Sequence, residues 1–175
     1  RVRKLSLVDE LAFNFGEAAQ FALLAGGNIN STDYIFISGS AGAGNSASST
    51  IRTNTGSVME NQNVLVTAAL QTVANVKSFL NGHDGQIIQS DINGSTFNPG
   101  IYHIPSSANF SGWSYLNGGQ TDKFLFVIEG DLAVAEDFIL TTGNVRPEHI
   151  VWSVGGKANL PSSIHFSGVV LAGDE

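Results

Sequence analysis

The chain has no cysteine, and this absence removes a disulfide framework, a thiolate metal site and a cysteine nucleophile together. Positive charge is scarce: eight Lys and Arg stand against fifteen Asp and Glu, for a formal net charge of −7. With no basic surface to neutralise a phosphate backbone, nucleic acid is excluded as a partner class. No apolar run approaches the ~20 residues a helix needs to cross a bilayer, so no membrane span is expected. Charged residues of either sign make up only 13% of the chain. In their place stand 20 Gly, 19 Ser and 15 Asn among 175 residues. That composition gives an uncharged, turn-rich surface and suits an extracellular β protein, secreted or held at the cell surface. The length fits one domain, and an apolar fraction of 42% is enough for one sizeable core. The first residue is Arg1, with neither an initiating Met nor an apolar leader, and the expectation is a processed, mature, soluble form.

Residues 1–12 (RVRKLSLVDELA) hold three of the eight basic residues beside apolar Val2, Leu5, Leu7 and Val8, and read as an extended arm. The domain proper runs over 13–175. In it, short segments rich in β-branched and aromatic residues recur between small-residue turns: FALLAG, YIFISG, QIIQSDI, GIYHIP, FLFVIEG, FILTTG, HIVWSVGG and IHFSGVVLAG. One stretch breaks the pattern. In NQNVLVTAALQTVANVKSFLNG, Val66, Ala69, Leu70, Val73, Lys77 and Leu80 recur at helical steps, with Asn63 suited to the N-cap and Gly82 to the stop. This predicts one amphipathic helix over about 63–81. A single helix among many strands argues against alternating βαβ units and leaves a sandwich or a coil of stacked parallel strands. Asn-Gly pairs at Asn81, Asn93 and Asn117 are hairpin signals that favour the sandwich. The near-even spacing of turns over 124–172 favours the coil, which is the reading preferred here.

YIFISGSAGAGNSASSTIRTNTG contains Gly42, Gly44 and Ala47 at the spacing of a dinucleotide fingerprint. That chemistry needs the glycines between a strand and a helix, whose N-terminus holds the pyrophosphate. Here they lead into SASSTIRTNTGS, which has no helical apolar stripe. The residues fit a glycine-rich corner instead, where close stacking excludes larger side chains.

Other chemistry is equally thin. His83 and Asp84 adjoin, and Ser38, Ser90 or Ser106 would be needed to complete a hydrolase triad, yet no nucleophile elbow surrounds any of them. His103, His149 and His165 lack metal-site spacing. Glu136 and Asp137, like Asp174 and Glu175, are neighbours whose side chains diverge on a strand. Calcium at Asp91–Gly94 or Gly130–Leu132 lacks a repeating ligand pattern. Trp152, in mid-strand, reads as core, whereas Trp113 and Tyr115 read as surface contacts. The chain is therefore expected to have no catalytic residues, no metal and no cofactor, and not to be an enzyme. Sequons at Asn30, Asn93 and Asn109 are candidate N-glycan sites.

AAQFALLAG (18–26), FNPGIYHI (97–104), GGQTDKFLFVIEGDLAVA (118–135) and HIVWSVGGKANLPSSIHFSGVVLAG (149–173), in that order and with the helix between the first two, resemble the microbial ice-binding protein family. The resemblance implies a right-handed parallel β-solenoid with one long α-helix packed alongside. It implies a secreted, antifreeze-like, non-enzymatic protein that adsorbs to ice through a flat face of Thr, Ser and Ala. Ser48, Thr50, Thr53 and Thr55, with Thr141, Thr142 and Asn144, are the candidates for that face. In the family a further coil follows the FSGVVLAG region, and its absence here leaves a strand place that the arm could take, in its own molecule or in a neighbour. From this comes an alternative function: an extracellular structural or adhesive subunit that self-assembles by N-terminal strand addition. The expected partner is thus the ice surface or other copies of the chain.

Overall fold

The computed structural model describes residues 21–30, 35–37, 39–53, 56–60, 63–80, 85–161 and 166–173. The expected arm and its residues Val2, Leu5, Leu7 and Val8 lie outside them. Strands β1 (Phe21–Ala25), β2 (Ile35–Ile37), β3 (Ser40–Ala43), β4 (Ile51–Thr53) and β5 (Val58–Met59) precede the helix α1 (Val64–Leu80). After it come β6 (Gln86–Ile87), β7 (Ser95–Phe97), β8 (Gly100–Ile104), β9 (Ala108–Phe110), β10 (Trp113–Leu116) and β11 (Phe124–Ile128). The chain ends with β12 (Leu132–Val134), β13 (Ile139–Thr141), β14 (Ile150–Val154), β15 (Ala158–Asn159) and β16 (Val169–Ala172).

The strands build parallel sheets that the chain visits in rotation. An eight-stranded sheet runs β5, β3, β1, β16, β14, β11, β8, β6; three-stranded sheets run β15, β12, β9 and β13, β10, β7; β2 pairs with β4. The circuits β8–β9–β10 and β11–β12–β13 each contribute one strand to the large sheet, one to the second and one to the third, and β14 and β15 repeat the first two steps. All ladders among the described residues are parallel. The hairpin sandwich is thereby set aside: Gly94 turns at φ 73° into β7 and not into an antiparallel partner.

Register is regular. In the large sheet Tyr102, Phe126, Trp152, Val170, Leu23 and Ala41 form one continuous row. Its aromatic members stack inside, Tyr102 on Phe126 at 5.2 Å between ring centroids and Phe126 on Trp152 at 4.2 Å. Phe97 and Phe110 meet this stack edge-on. Such pairs each add about 0.5–1.5 kcal/mol beyond the area they bury. Toward β3 the row shrinks to Leu23 and Ala41, and a smaller core of Ala25, Ile29, Ala41, Ala43 and Ile51 takes over.

Chain order and sheet order part company at one place. β16 lies between β14 and β1, so the strand position beside it is filled by the segment starting at Phe21 and not by residues 1–12. This corrects the expected vacancy beside the FSGVVLAG segment. β5 and β6 consequently stand at opposite edges of the sheet, with α1 linking them in sequence. Seventeen helical residues extend about 25 Å, most of the ~34 Å that seven strand spacings require.

The helix starts where its cap was expected. Asn63 Oδ1 accepts a hydrogen bond from Leu65 N at 2.9 Å. Val66, Ala69 and Val73 are buried against Phe21, Leu24, Leu125, Val151 and Leu171 on the outer side of the large sheet. The large sheet is therefore apolar on both faces, which is why its strands read as continuous hydrophobic runs.

Gly42 and Gly44 sit in β3 and in the corner just after it. A Cβ on Gly44 would penetrate the Gly26 carbonyl group of the circuit beneath, and one on Gly42 would press on Phe21 at 2.7 Å. Stacking demands both glycines, and the corner reading holds.

Candidate functional surface

With one side of the stack covered by α1, two sides carry short strands. On the second, residues alternate in and out. Ala108, Phe110, Leu132 and Val134 point inward and are buried, while Asn109, Ala133 and Asn159 point outward and pair in register across β9, β12 and β15. Ser111 and Ala135 lie two residues further along, half-buried. Small, uncharged side chains thus stand on a grid of roughly 4.8 Å between strands and about 6.6 Å along them.

The grid is fastened at its corners by side chains bonded to neighbouring backbone. Asp91 accepts hydrogen bonds from Asn93 N (3.1 Å), Ser111 N (3.3 Å) and Ser111 Oγ (3.0 Å). On the opposite border Ser107 Oγ accepts from Asp131 N (3.1 Å), and Asp131 Oδ1 accepts from Lys157 N (2.8 Å). The carboxylates that sequence offered for calcium are engaged in this stitching. Among the described residues no group of three His, Asp or Glu side chains could hold a metal ion.

The third side is coarser. Thr96, Tyr115 and Thr141 form one outward row, and Trp113 pairs with Ile139. Both members of that pair are large and exposed, 54% and 50% respectively. Trp113 is the surface aromatic that sequence predicted, and Trp152 is fully buried, as predicted, with its indole N–H donating to Ser167 O at 3.0 Å.

The residues proposed from sequence for an ice face do not gather on one surface. Ser48 follows Ala47, which bridges to Ile29 on the second side, and donates its N–H to Ile29 O at 2.8 Å. Thr50 is in a turn. Thr53 ends β4 and its hydroxyl donates to Gly56 O at 2.6 Å. Thr141 is exposed on the third side, while Thr142 and Asn144 belong to the turn after it. Thr55 lies outside the described residues. Asn109, Ala133, Asn159, Ser111 and Ala135 were missed because β9, β12 and β15 are only two or three residues long. A usable signal existed: Ala108, Leu132 and Ala158 each fall six residues after Tyr102, Phe126 and Trp152 of the aromatic row.

Of the catalytic candidates, Ser38, His83, Asp84, His165, Asp174 and Glu175 lie outside the described residues. Ser90 and Ser106 are exposed in turns, as are Glu136 and Asp137. His103 Nε2 and Glu129 Oε1 form a surface pair at 3.0 Å. Of the sequon residues, Asn93 Oδ1 accepts from Trp113 N at 3.2 Å, whereas Asn109 stands in the middle of the small-residue row. Asn30 is exposed. No helix among the described residues is long and apolar enough to cross a membrane.

These features define a class: a mainly β protein of stacked parallel sheets, braced by one helix over its large sheet, with small uncharged side chains in register on an uncovered side. A sequence profile of the Ice-binding-like family matches residues 16–175, and the chain belongs to that family. It is 33% identical over 88 residues to ice-binding protein K3-B1 of Typhula ishikariensis, covering 50% of this chain and 36% of the relative. An ice-binding protein of Nostoc sp. (strain HG1) is 26% identical over 165 residues, covering 90% of this chain and 61% of the relative. The crystal structure of the ice-binding protein from the Antarctic ascomycete Antarctomyces psychrotrophicus superposes with a TM-score of 0.75 at 20% identity, over 91% of this chain and 82% of that one. That of an ice-binding protein from an Antarctic Flavobacteriaceae bacterium gives 0.72 at 25% identity, over 90% and 38%. The chain spans about a third of the length of the first curated relatives it matches.

Proposed function

We propose that this chain is a secreted, non-enzymatic, antifreeze-like protein that adsorbs to ice through the side formed by β9, β12 and β15, on a right-handed β-solenoid. The observation that carries this reading is the in-register row Asn109, Ala133, Asn159, with Ser111 and Ala135 beside it. Ice presents a rigid lattice of water, and a protein surface holds it only by ordering water in a matching array. A flat grid of methyl, hydroxyl and amide groups at strand spacing supports this, because the buried aromatic stack and the corner hydrogen bonds keep it from deforming. The third side suits the task less well, since Trp113, Tyr115 and Ile139 raise its relief. Family membership adds weight, as the similar proteins above carry ice binding in their names.

The test is direct. Purified chain added to a frozen sucrose solution is expected to hold ice grains small during annealing, and single crystals grown in its presence are expected to develop facets. Coarsening grains together with round, unfaceted crystals at every concentration tried would sink the proposal.

A further inference from the structure

Two of the Asn-Gly pairs turn no hairpin, since the strands beside them, β7 and β10, pair in parallel, and the fold treats the two in opposite ways. In such a pair the following backbone nitrogen can reach the asparagine side chain, because glycine puts no Cβ in the path. Asn93–Gly94 precedes β7 and Asn117–Gly118 follows β10, while Asn81 lies outside the described residues. At Asn93 both reacting groups are tied to one residue of the next circuit. Gly94 N donates to Trp113 O at 2.7 Å, and Asn93 Oδ1 accepts from Trp113 N at 3.2 Å. Asn93 N donates in turn to Asp91 Oδ1 at 3.1 Å. The amide also lies against Gly112, where a Cβ would sit 2.6 Å from its Cγ. Side chain and following nitrogen are thus both committed to the neighbouring strand.

Asn117 is exposed, and its side chain makes one contact, Nδ2 donating to Asn98 Oδ1 at 3.0 Å. Its backbone N–H continues the β10–β7 ladder by donating to Phe97 O at 2.8 Å, and there the ladder ends. Gly118 N has no hydrogen-bond partner among the described residues. Packing nevertheless demands glycine at 118. A Cβ there would fall 2.9 Å from the Phe124 ring and 3.1 Å from Val145. Both are buried, so neither has room to yield. A reactive pair is therefore fixed in place at the end of β10, with its nitrogen free.

We propose that Asn117 is a site of spontaneous deamidation and that the fold shields Asn93 from the same reaction. Gly118 N gives its proton to hydroxide and attacks Asn117 Cγ. The new N–C bond closes a succinimide ring, and the Cγ–Nδ2 bond breaks as Nδ2 takes a proton from water and leaves as ammonia. Water then opens the ring at either carbonyl, giving aspartate or isoaspartate. At Asn93 the step must wait until Gly94 N–H leaves Trp113 O and the side chain leaves Trp113 N, which is a local opening of the ladder. Either product at Asn117 adds a negative charge to a chain of formal charge −7 and removes the donor to Asn98. Isoaspartate also inserts a backbone carbon before Gly118 and displaces it from Phe124. The change falls on the third side, so its detection does not depend on ice binding.

The test is a time course on the purified chain in mildly alkaline buffer, folded in one arm and unfolded in guanidinium chloride in the other, mapped by peptide mass spectrometry. In the folded arm the Asn117 peptide is expected to gain the mass of an amide-to-acid exchange and to split into aspartate and isoaspartate forms. It is expected to do so at least about tenfold faster than the Asn93 peptide. Tenfold corresponds to ~1.4 kcal/mol of added barrier at Asn93, on the order of what the hydrogen bonds that must open contribute. In the unfolded arm both peptides are expected to convert at similar rates, since glycine follows each asparagine. Equal rates in the folded arm, faster conversion at Asn93, or an Asn117 peptide that stays unchanged would overturn the proposal. A rate ratio that persists in the unfolded arm would also overturn it, because the shielding of Asn93 would then owe nothing to the fold.

Discussion

Tyr102 shows how a single side chain ties the interior to solution conditions. Its ring stacks on Phe126 while its hydroxyl donates to the Asn98 carbonyl. Burial disfavours the phenolate and raises Tyr102 above its ordinary value of 10.0. In the unfolded chain that group ionises at its ordinary pKa, so between the two values the folded state binds more protons. The stabilisation is thus fully present below about pH 10 and is lost as pH rises through the folded pKa. Tyr102→Phe is expected to flatten the fall in melting temperature above that pH, at the cost of about 1 kcal/mol at neutral pH for the lost hydrogen bond. Thermal melts from pH 7 to 11 check this, and an alkaline slope as steep as that of the parent would contradict it. Other residues were legible from sequence: Trp152 as core, and Gly42 and Gly44 as a corner once the missing helix excluded a phosphate cradle. Asn109, Ala133 and Asn159 were not. An exposed Asn on a three-residue strand looks the same in sequence as an Asn in a turn, and only the register across circuits distinguishes them.

At the level of elements, legibility followed burial. The large-sheet strands are apolar on both faces because α1 lies over one and the aromatic stack under the other, so FALLAG, GIYHIP, FLFVIEG, HIVWSVGG and VVLAG stood out. The helix showed its 3.6-residue period through Val66, Ala69 and Val73. Strands such as β9 and β12 bury only two residues each and send a small one outward, which erases the contrast that sequence reading relies on. The helix end is also separable energetically. Asn63→Ala removes the acceptor for Leu65 N and is expected to cost about 1 kcal/mol, measurable as a shift in the urea midpoint without a change in slope. Asn63→Asp keeps an acceptor there and should retain most of that stability. Equal loss in both variants would show that the cap contributes through something other than this hydrogen bond.

On the scale of the whole molecule, the arrangement separates support from contact. Helix and aromatic stack keep the large sheet rigid, and the corner bonds of Asp91, Ser107 and Asp131 carry that rigidity to the second side. The topology was only partly legible: equal turn spacing suggested stacked parallel strands, but nothing local in the sequence indicates that β1 docks on β16, because that pairing joins segments almost 150 residues apart.

The central claim is that ice meets the side built from β9, β12 and β15. The measurement that tests it most directly is a comparison of Ala133→Tyr with Thr141→Tyr in ice-recrystallisation titrations, after melting curves show both variants folded. Ala133 is at the centre of the proposed face and Thr141 is exposed on the third side, so each substitution raises one surface and leaves the other unchanged. The account predicts that Ala133→Tyr needs a concentration about tenfold higher or more, equivalent to ~1.4 kcal/mol of lost adsorption, while Thr141→Tyr matches the parent. Loss confined to Thr141→Tyr, or equal loss in both, would contradict it.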